Sequence, residues 1–208
     1  MTETTPYPGI PVLAILRGIT SGEILPIADQ LIAHDIRRIE VPLNSPDAMR
    51  SIEMLISRYG KDALIGAGTV LEREEVNQLA DIGCKIVVSP NFDLDVVSET
   101  KEKAMLSCPG VFTPSEAFAA LKAGADILKY FPADLCGPAA IKAWRAVLPS
   151  NTSIVATGGT NADTFSTWLA AGVNMIGVGS ALYKPGDGAK DVAYKAEALA
   201  KAYQTKDS

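Results

Sequence analysis

The chain alternates between short apolar runs and amphipathic stretches along its whole length. Eight runs stand out, at residues 12–18, 38–43, 64–70, 86–91, 106–111, 127–133, 154–159 and 175–182. Most contain Val or Ile and end in Gly, Pro or Asn, as parallel strands buried on both faces do. The stretches between them carry apolar residues at helical spacing. Ile24, Ile27, Ala28 and Leu31 share one face of residues 24–33, and Met49, Ile52, Leu55 and Ile56 one face of 49–56. Residues 75–82, 116–123, 139–148, 165–171 and 192–203 complete the helical set. The very polar stretch 93–104 needs tertiary contacts to become a helix.

Boundary signals agree with this segmentation. Ser45-Pro46 and Thr113-Pro114 put a capping residue before a proline at the first helical position. Gly60, Gly83, Gly124 and Gly172 stand where a left-handed C-terminal residue is wanted. Strand starts recur every 20 to 27 residues, with no linker or low-complexity tract. One domain over residues 1–208 is expected, with 1–11 as an N-terminal extension and 204–208 as a C-terminal tail. Eight parallel strand–helix units predict an α/β fold, a closed (β/α)8 TIM barrel near the lower length limit of that fold. A doubly wound open sheet is the rival. Its dinucleotide-binding form fails at Gly66-Ala67-Gly68, because Leu71 stands where the third glycine of GxGxxG belongs.

Charge and composition narrow the function classes. The 208 residues include 19 Lys and Arg against 24 Asp and Glu, a net charge of -5. That balance argues against a nucleic-acid groove or an anionic membrane surface as partner. A single His argues against a His-based zinc site, so no metal is expected. Cys84, Cys108 and Cys136 are widely spaced, with no CxxC pair, and read as small buried residues in a reducing compartment. The N-terminus lacks a basic segment followed by an apolar run, and no uncharged apolar stretch reaches about 18 residues. A soluble cytoplasmic protein is expected.

Active residues of a barrel sit at the C-terminal ends of its strands. Three charges lie in the second halves of the apolar runs: Arg17, Glu40 and Lys129. A Lys among Ile, Leu, Tyr and Phe loses hydration, which favours the free amine as a nucleophile. Alternatively, its stem packs on apolar surface while its head reaches water. Alternation puts Ile127, Lys129 and Phe131 on one strand face. If that face is the barrel interior, the head can only reach the mouth. Glu40 is either a structural ion-pair partner or an acid/base. Arg17 is either a structural ion-pair member or a fork for a carboxylate. Together they supply what Schiff-base chemistry on a keto acid needs.

Glycines form a second constellation. Thr157-Gly158-Gly159-Thr160 ends the seventh run and Gly177-Val178-Gly179-Ser180 the eighth. Loops at these places in a barrel often cradle a phosphate with backbone N–H groups, though tight turns would also explain them. Gly66-Ala67-Gly68-Thr69 ends the third run and could add a hydroxyl near the substrate. His34 lies near a helix end and reads as capping or surface. Trp144 and Trp168 lie on helices and read as packing.

Several segments together, in order, carry a resemblance. They are Ile15-Leu16-Arg17-Gly18, Glu40-Val41-Pro42-Leu43-Asn44-Ser45-Pro46, Gly66-Ala67-Gly68-Thr69-Val70, Cys108-Pro109-Gly110, Lys129-Tyr130-Phe131-Pro132-Ala133, Thr157-Gly158-Gly159 and Gly179-Ser180. The chain resembles the 2-keto-3-deoxy-6-phosphogluconate and -galactonate (KDPG/KDPGal) aldolases over nearly its whole length. The resemblance implies a class I, cofactor-free and metal-free Schiff-base aldolase, usually a homotrimer, that releases pyruvate and glyceraldehyde 3-phosphate. Carried over, Lys129 forms the imine and Glu40 moves protons. Arg17 and Thr69 hold the pyruvyl end, and Thr157, Gly158, Gly159, Gly179 and Ser180 the rest of the substrate and its phosphate.

Within the family, Asn44-Ser45 replaces the Arg-Thr pair common in gluconate-type members, and the ILRG and EVPLNSP segments look like the galactonate branch. Thr157 looks like the gluconate branch, and Tyr130 has more hydrogen-bonding reach than the residue often found there. Galactonate preference is expected, with gluconate, dual or 4-hydroxy-2-oxoglutarate cleavage as alternatives. A phosphosugar isomerase or epimerase without an imine and a non-catalytic phosphometabolite-binding barrel are the more distant rivals.

Overall fold

The computed structural model describes residues 7–205; residues 1–6 of the expected extension and 206–208 of the expected tail lie outside them. Among the described residues every strand pairing is parallel. The strands are β1 (Val12–Ile15), β2 (Arg38–Pro42), β3 (Leu64–Gly68), β4 (Ile86–Val88), β5 (Leu106–Cys108), β6 (Gly110–Val111), β7 (Ile127–Tyr130), β8 (Ser153–Thr157) and β9 (Met175–Val178). They lie in the order β5-β4-β3-β2-β1-β9-β8-β7-β6.

The eight expected strands are thus nine, because the fifth run breaks at Pro109. Proline has no N–H to give to a ladder. Here β5 pairs with β4 and β6 with β7, so the two sheet edges are consecutive pieces of one run. The carbonyl of Pro109 accepts from Lys129 N–H at 2.9 Å. The sheet closes into the expected barrel around this break, and the open-sheet rival is excluded.

Helices alternate with the strands: α1 (Ile24–Ala33), α2 (Ala48–Tyr59), α3 (Arg73–Asp81), α4 (Leu94–Glu102), α5 (Pro114–Lys122), α6 (Gly137–Arg145), α7 (Phe165–Ala171) and α8 (Ala189–Gln204). Thr113 caps α5 as expected, in a box with Glu116. Ser45 does not cap α2. Its hydroxyl accepts from Gly18 N–H at 2.9 Å, and the helix starts after Asp47 instead. Gly83, Gly124 and Gly172 adopt the expected left-handed backbone, but Gly60 is right-handed at φ -60. What Gly60 needs is space, because a side chain there would crowd the Ile56 carbonyl. The polar α4 is held by its surroundings: Asp93 accepts from Asp95 and Val96 N–H, and buried Glu99 pairs with Arg73 and Lys103. Cys84 and Cys108 are buried as expected, whereas Cys136 is exposed in the loop before α6.

Two apolar clusters divide the molecule. The larger lies between helices and sheet and takes in Val12, Ala14, Ile39, Leu128 and Tyr130. The smaller contains strand residues such as Leu13, Leu64, Ile86, Val88, Cys108, Ile127, Val155 and Met175. These alternate with the first set along each strand, so they are the barrel interior. The described part of the N-terminal extension is tied to the bottom of this interior. Arg38, buried at the start of β2, donates to the carbonyls of Tyr7 and Ile10.

Candidate active site

The inward-facing residues change character toward the C-terminal ends of the strands. Ile127 belongs to the apolar interior, and Lys129, two residues on, faces the same way. Leu13, Val155 and Met175 are likewise followed by Ile15, Thr157 and Gly177. Lys129 and Thr157 are only 5% and 7% exposed, and Glu40 only 1%. A buried polar layer therefore sits on an apolar floor. The Lys129 ammonium lies 4.9 Å from the centre of the Phe131 ring.

Glycine makes room for this layer. A side chain at Gly68 would overlap the Glu40 carboxylate, and one at Gly177 would overlap the Thr157 hydroxyl. Glu40 Oε2 and Thr157 Oγ1 are both buried without a hydrogen-bond partner among the described residues. Burial raises the Glu40 pKa from 4.5 to about 7, against the pull of the Lys129 and Arg17 charges.

A cavity of about 390 Å³ opens above this layer. Arg17, Lys129 and Phe131 line it together with Thr157, Gly158, Gly159, Gly179 and Ser180. Of the expected site residues, Glu40 and Thr69 do not line it. Glu40 lies close enough for Lys129 and Arg17 to act on its charge. Thr69 acts through Arg17: the guanidinium donates to Asn44 Oδ1 at 2.7 Å and to Thr69 Oγ1 at 3.3 Å. Thr69 holds φ at 57°, a strained conformation for a β-branched residue. These contacts orient the guanidinium at one end of the cavity.

The other end is built from backbone. Gly158 and Gly159 have φ of 114° and 67°, and side chains there would press on Ala133 and Asp134. No hydrogen bond within the described residues engages the N–H of Gly158, Gly159 or Ser180. Such a nest suits an anion. Asn44 and Lys184 were missed as site residues. Asn44 does stand out in the sequence beside Ser45, but Lys184 lies beyond the apolar run and carries no local signal. Tyr130 faces the other way. Its ring packs with Phe112, Trp144 and Trp168 outside the barrel, where strand alternation puts it. Its hydroxyl therefore has no part in the cavity.

Comparison with known proteins shows which family the chain belongs to. A family model described as "KDPG and KHG aldolase" matches residues 7–195. The chain belongs to the KDPG and KHG aldolase family. It is 47% identical over 193 residues to the "Probable 2-dehydro-3-deoxy-6-phosphogalactonate aldolase" of Rhizobium meliloti, covering 93% of this chain and 91% of the relative. It is 44% identical over 195 residues to the "2-dehydro-3-deoxy-6-phosphogalactonate aldolase" of Escherichia coli, covering 94% and 95%. A solved structure described as "Native KDPGal structure" superposes with a TM-score of 0.95 at 42% identity, covering 99% of this chain and 98% of that one. As a member of this aldolase family, the chain is a carbon–carbon lyase.

The buried carboxylate makes stability depend on pH. The folded protein holds the Glu40 proton more tightly than the unfolded chain does. That stabilisation is fully present below the unfolded pKa and is lost as pH rises through about 7. Glu40→Gln removes the titration. The melting temperature of the variant relative to the natural protein is expected to rise by roughly 5 °C between pH 5 and pH 8. Melts followed by circular dichroism check this, and an equal difference at both pH values would refute it.

Proposed function

We propose that this aldolase works through a Schiff base on Lys129 and cleaves 2-keto-3-deoxy-6-phosphogalactonate to pyruvate and glyceraldehyde 3-phosphate. The observation that carries the reading is a buried amine and a buried carboxylate in one polar layer beneath a cavity lined by a guanidinium and by unengaged backbone N–H groups. Lys129 Nζ attacks the C2 carbonyl, and loss of water from the carbinolamine leaves a protonated imine. Removal of the C4 hydroxyl proton breaks the C3–C4 bond. The electron pair moves into the imine to give an enamine, and glyceraldehyde 3-phosphate leaves. The enamine takes a proton at C3, and water then releases pyruvate and the free amine.

Glu40 is the proton carrier for these steps. A pKa of about 7 lets it both accept and return a proton near neutral pH. Arg17, oriented by Asn44 and Thr69, holds the substrate carboxylate. Gly158, Gly159, Gly179 and Ser180 hold the phosphate. The three protein groups at the reacting end supply the nucleophile, the acid/base and the charge complement, so the chain's own residues account for each step.

Borohydride reduction in the presence of pyruvate tests the central step. A stable adduct on the peptide carrying Lys129 is expected, and its absence would sink the imine. Lys129→Ala should lower kcat by about a thousandfold or more. The same trap separates this reading from an isomerase that uses Lys129 and Glu40 only as acid and base.

The galactonate preference rests on the names of the similar proteins and on the Asn44-Ser45 segment. A second reading, dual specificity, is favoured by Thr157, whose buried hydroxyl lies unpartnered at the cavity between Lys129 and the glycine nest. The two substrates differ only at the C4 hydroxyl, so one hydrogen bond there changes the ratio of kcat/KM. Thr157→Val should shift that ratio by about tenfold, the effect of one such bond. An unchanged ratio would remove Thr157 from substrate selection.

The assembly we propose is a homotrimer, acting in the cytoplasm, where phosphorylated sugar acids are retained. The resemblance supports the trimer. So does the partial exposure of Phe112 (36%) and Phe118 (45%), large apolar residues at the start of α5 and on it. Sedimentation equilibrium is expected to return three times the 21.9 kDa chain mass, and a monomer mass would overturn the proposal.

A further inference from the structure

The loop after β9 brings a cation to the cavity that the glycine nest does not supply. Lys184 lines the same cavity as Gly158, Gly159, Gly179 and Ser180. Its position is fixed from several sides. Leu182 and Tyr183 N–H donate to the Gly179 carbonyl at 2.8 and 3.0 Å. Lys184 N–H donates to Asp187 Oδ2 at 2.8 Å. That carboxylate is in turn held by Lys195 Nζ at 2.5 Å. The ring of Pro185 fills the space that a side chain on Gly18 would need, so the loop is seated on the end of β1. Among the described residues no carboxylate lies within ion-pair distance of the Lys184 ammonium.

Charge balance gives this cation a task. A phosphate monoester carries close to two negative charges at neutral pH. The backbone N–H groups of the nest are dipoles and do not neutralise it. The Asp134 side chain lies beside Gly158 and Gly159, adding negative charge next to the nest. Arg17 and Lys129 are committed to the other end of the substrate. Lys184 is the remaining basic side chain among the residues lining the cavity, and an ammonium on a flexible stem suits a phosphate as a point charge.

We propose that Lys184 is a phosphate-binding residue that selects phosphorylated over unphosphorylated keto acids. The proposal rests on the aldolase reading above for its substrate, and inorganic phosphate tests it independently. Lys184→Met is expected to raise KM for the phosphorylated substrate about tenfold, the effect of one charge-assisted contact. Its kcat should stay within about twofold, since the contact holds substrate and transition state alike. Inhibition by inorganic phosphate should weaken in step, while kinetics with phosphate-free 4-hydroxy-2-oxoglutarate and borohydride trapping of pyruvate stay as in the natural protein. Lys184→Arg should restore most of the loss. An unchanged KM together with unchanged phosphate inhibition in Lys184→Met would overturn the proposal. If the natural protein traps no pyruvate, the aldolase reading fails. Binding of inorganic phosphate to the two proteins then decides Lys184: weaker binding to the variant supports its role and equal binding overturns it.

Discussion

Glu40 and Lys129 share a layer of the barrel that excludes almost all water, and the surrounding backbone is arranged around them. A lone ionised group there would forfeit several kcal/mol of hydration. Lys129 and Arg17 favour the Glu40 carboxylate, yet burial outweighs them and leaves its pKa near 7. This balance between desolvation and attraction makes the carboxylate useful, because a fully compensated one would stay ionised. It also dictates the neighbouring strands. In register, Glu40 pairs with Gly66 and Thr157 with Gly177. Gly68 and Gly177 lack the side chains that would fill the space of Glu40 and Thr157. A barrel normally packs its interior with branched residues. Here the upper layer gives up that packing on β3 and β9 to admit polar groups.

The rest of the cavity offers a guanidinium at one end and backbone dipoles at the other. The chain as a whole is acidic, at -5, so recognition depends on charges and dipoles placed locally. At one end, Arg17 is exposed but held by Asn44 and the strained Thr69. Ser45 ties the same loop to Gly18. The β1, β2 and β3 loops are thereby fastened to one another through side chains that also orient the guanidinium. At the other end, left-handed glycines leave backbone N–H groups unengaged, and Lys184 on an anchored loop lines the same cavity. Fold and site use the same contacts, which is why strand-end loops carry so many of them.

Much of this was legible in the chain. Val- and Ile-rich runs at regular spacing predicted parallel strands, and amphipathic stretches predicted their helices. The closed barrel followed. Charges inside apolar runs marked Arg17, Glu40 and Lys129, because polar groups enter a core only for a reason. The departures have local causes. Pro109 split one strand by withholding an N–H. Ser45 found a partner in Gly18 that local sequence could not show. Gly60 needed room beside a carbonyl and not a left-handed turn. The helix 94–102 formed from polar sequence because Arg73 on the preceding helix reaches its buried Glu99. The hydrogen-bonding reach of Tyr130 has no bearing on the cavity, because adjacent residues of a strand face opposite sides and its phenol lies among aromatic rings outside the barrel.

The sequence by itself determined the fold class and the family, and it singled out Lys129 and Glu40 as charges set inside apolar runs. Those depend on periodicity and on residue type, which are properties of neighbours along the chain. Tertiary structure alone decided how Arg17 is oriented, why Gly68 must be glycine, and that Lys184 reaches the same cavity as Gly158. Each of these joins residues from different strands or loops, brought together only by barrel closure. The polarity of Glu40 is local in origin, but its pKa of about 7 belongs to the folded state, where desolvation and two distant cations act on it together.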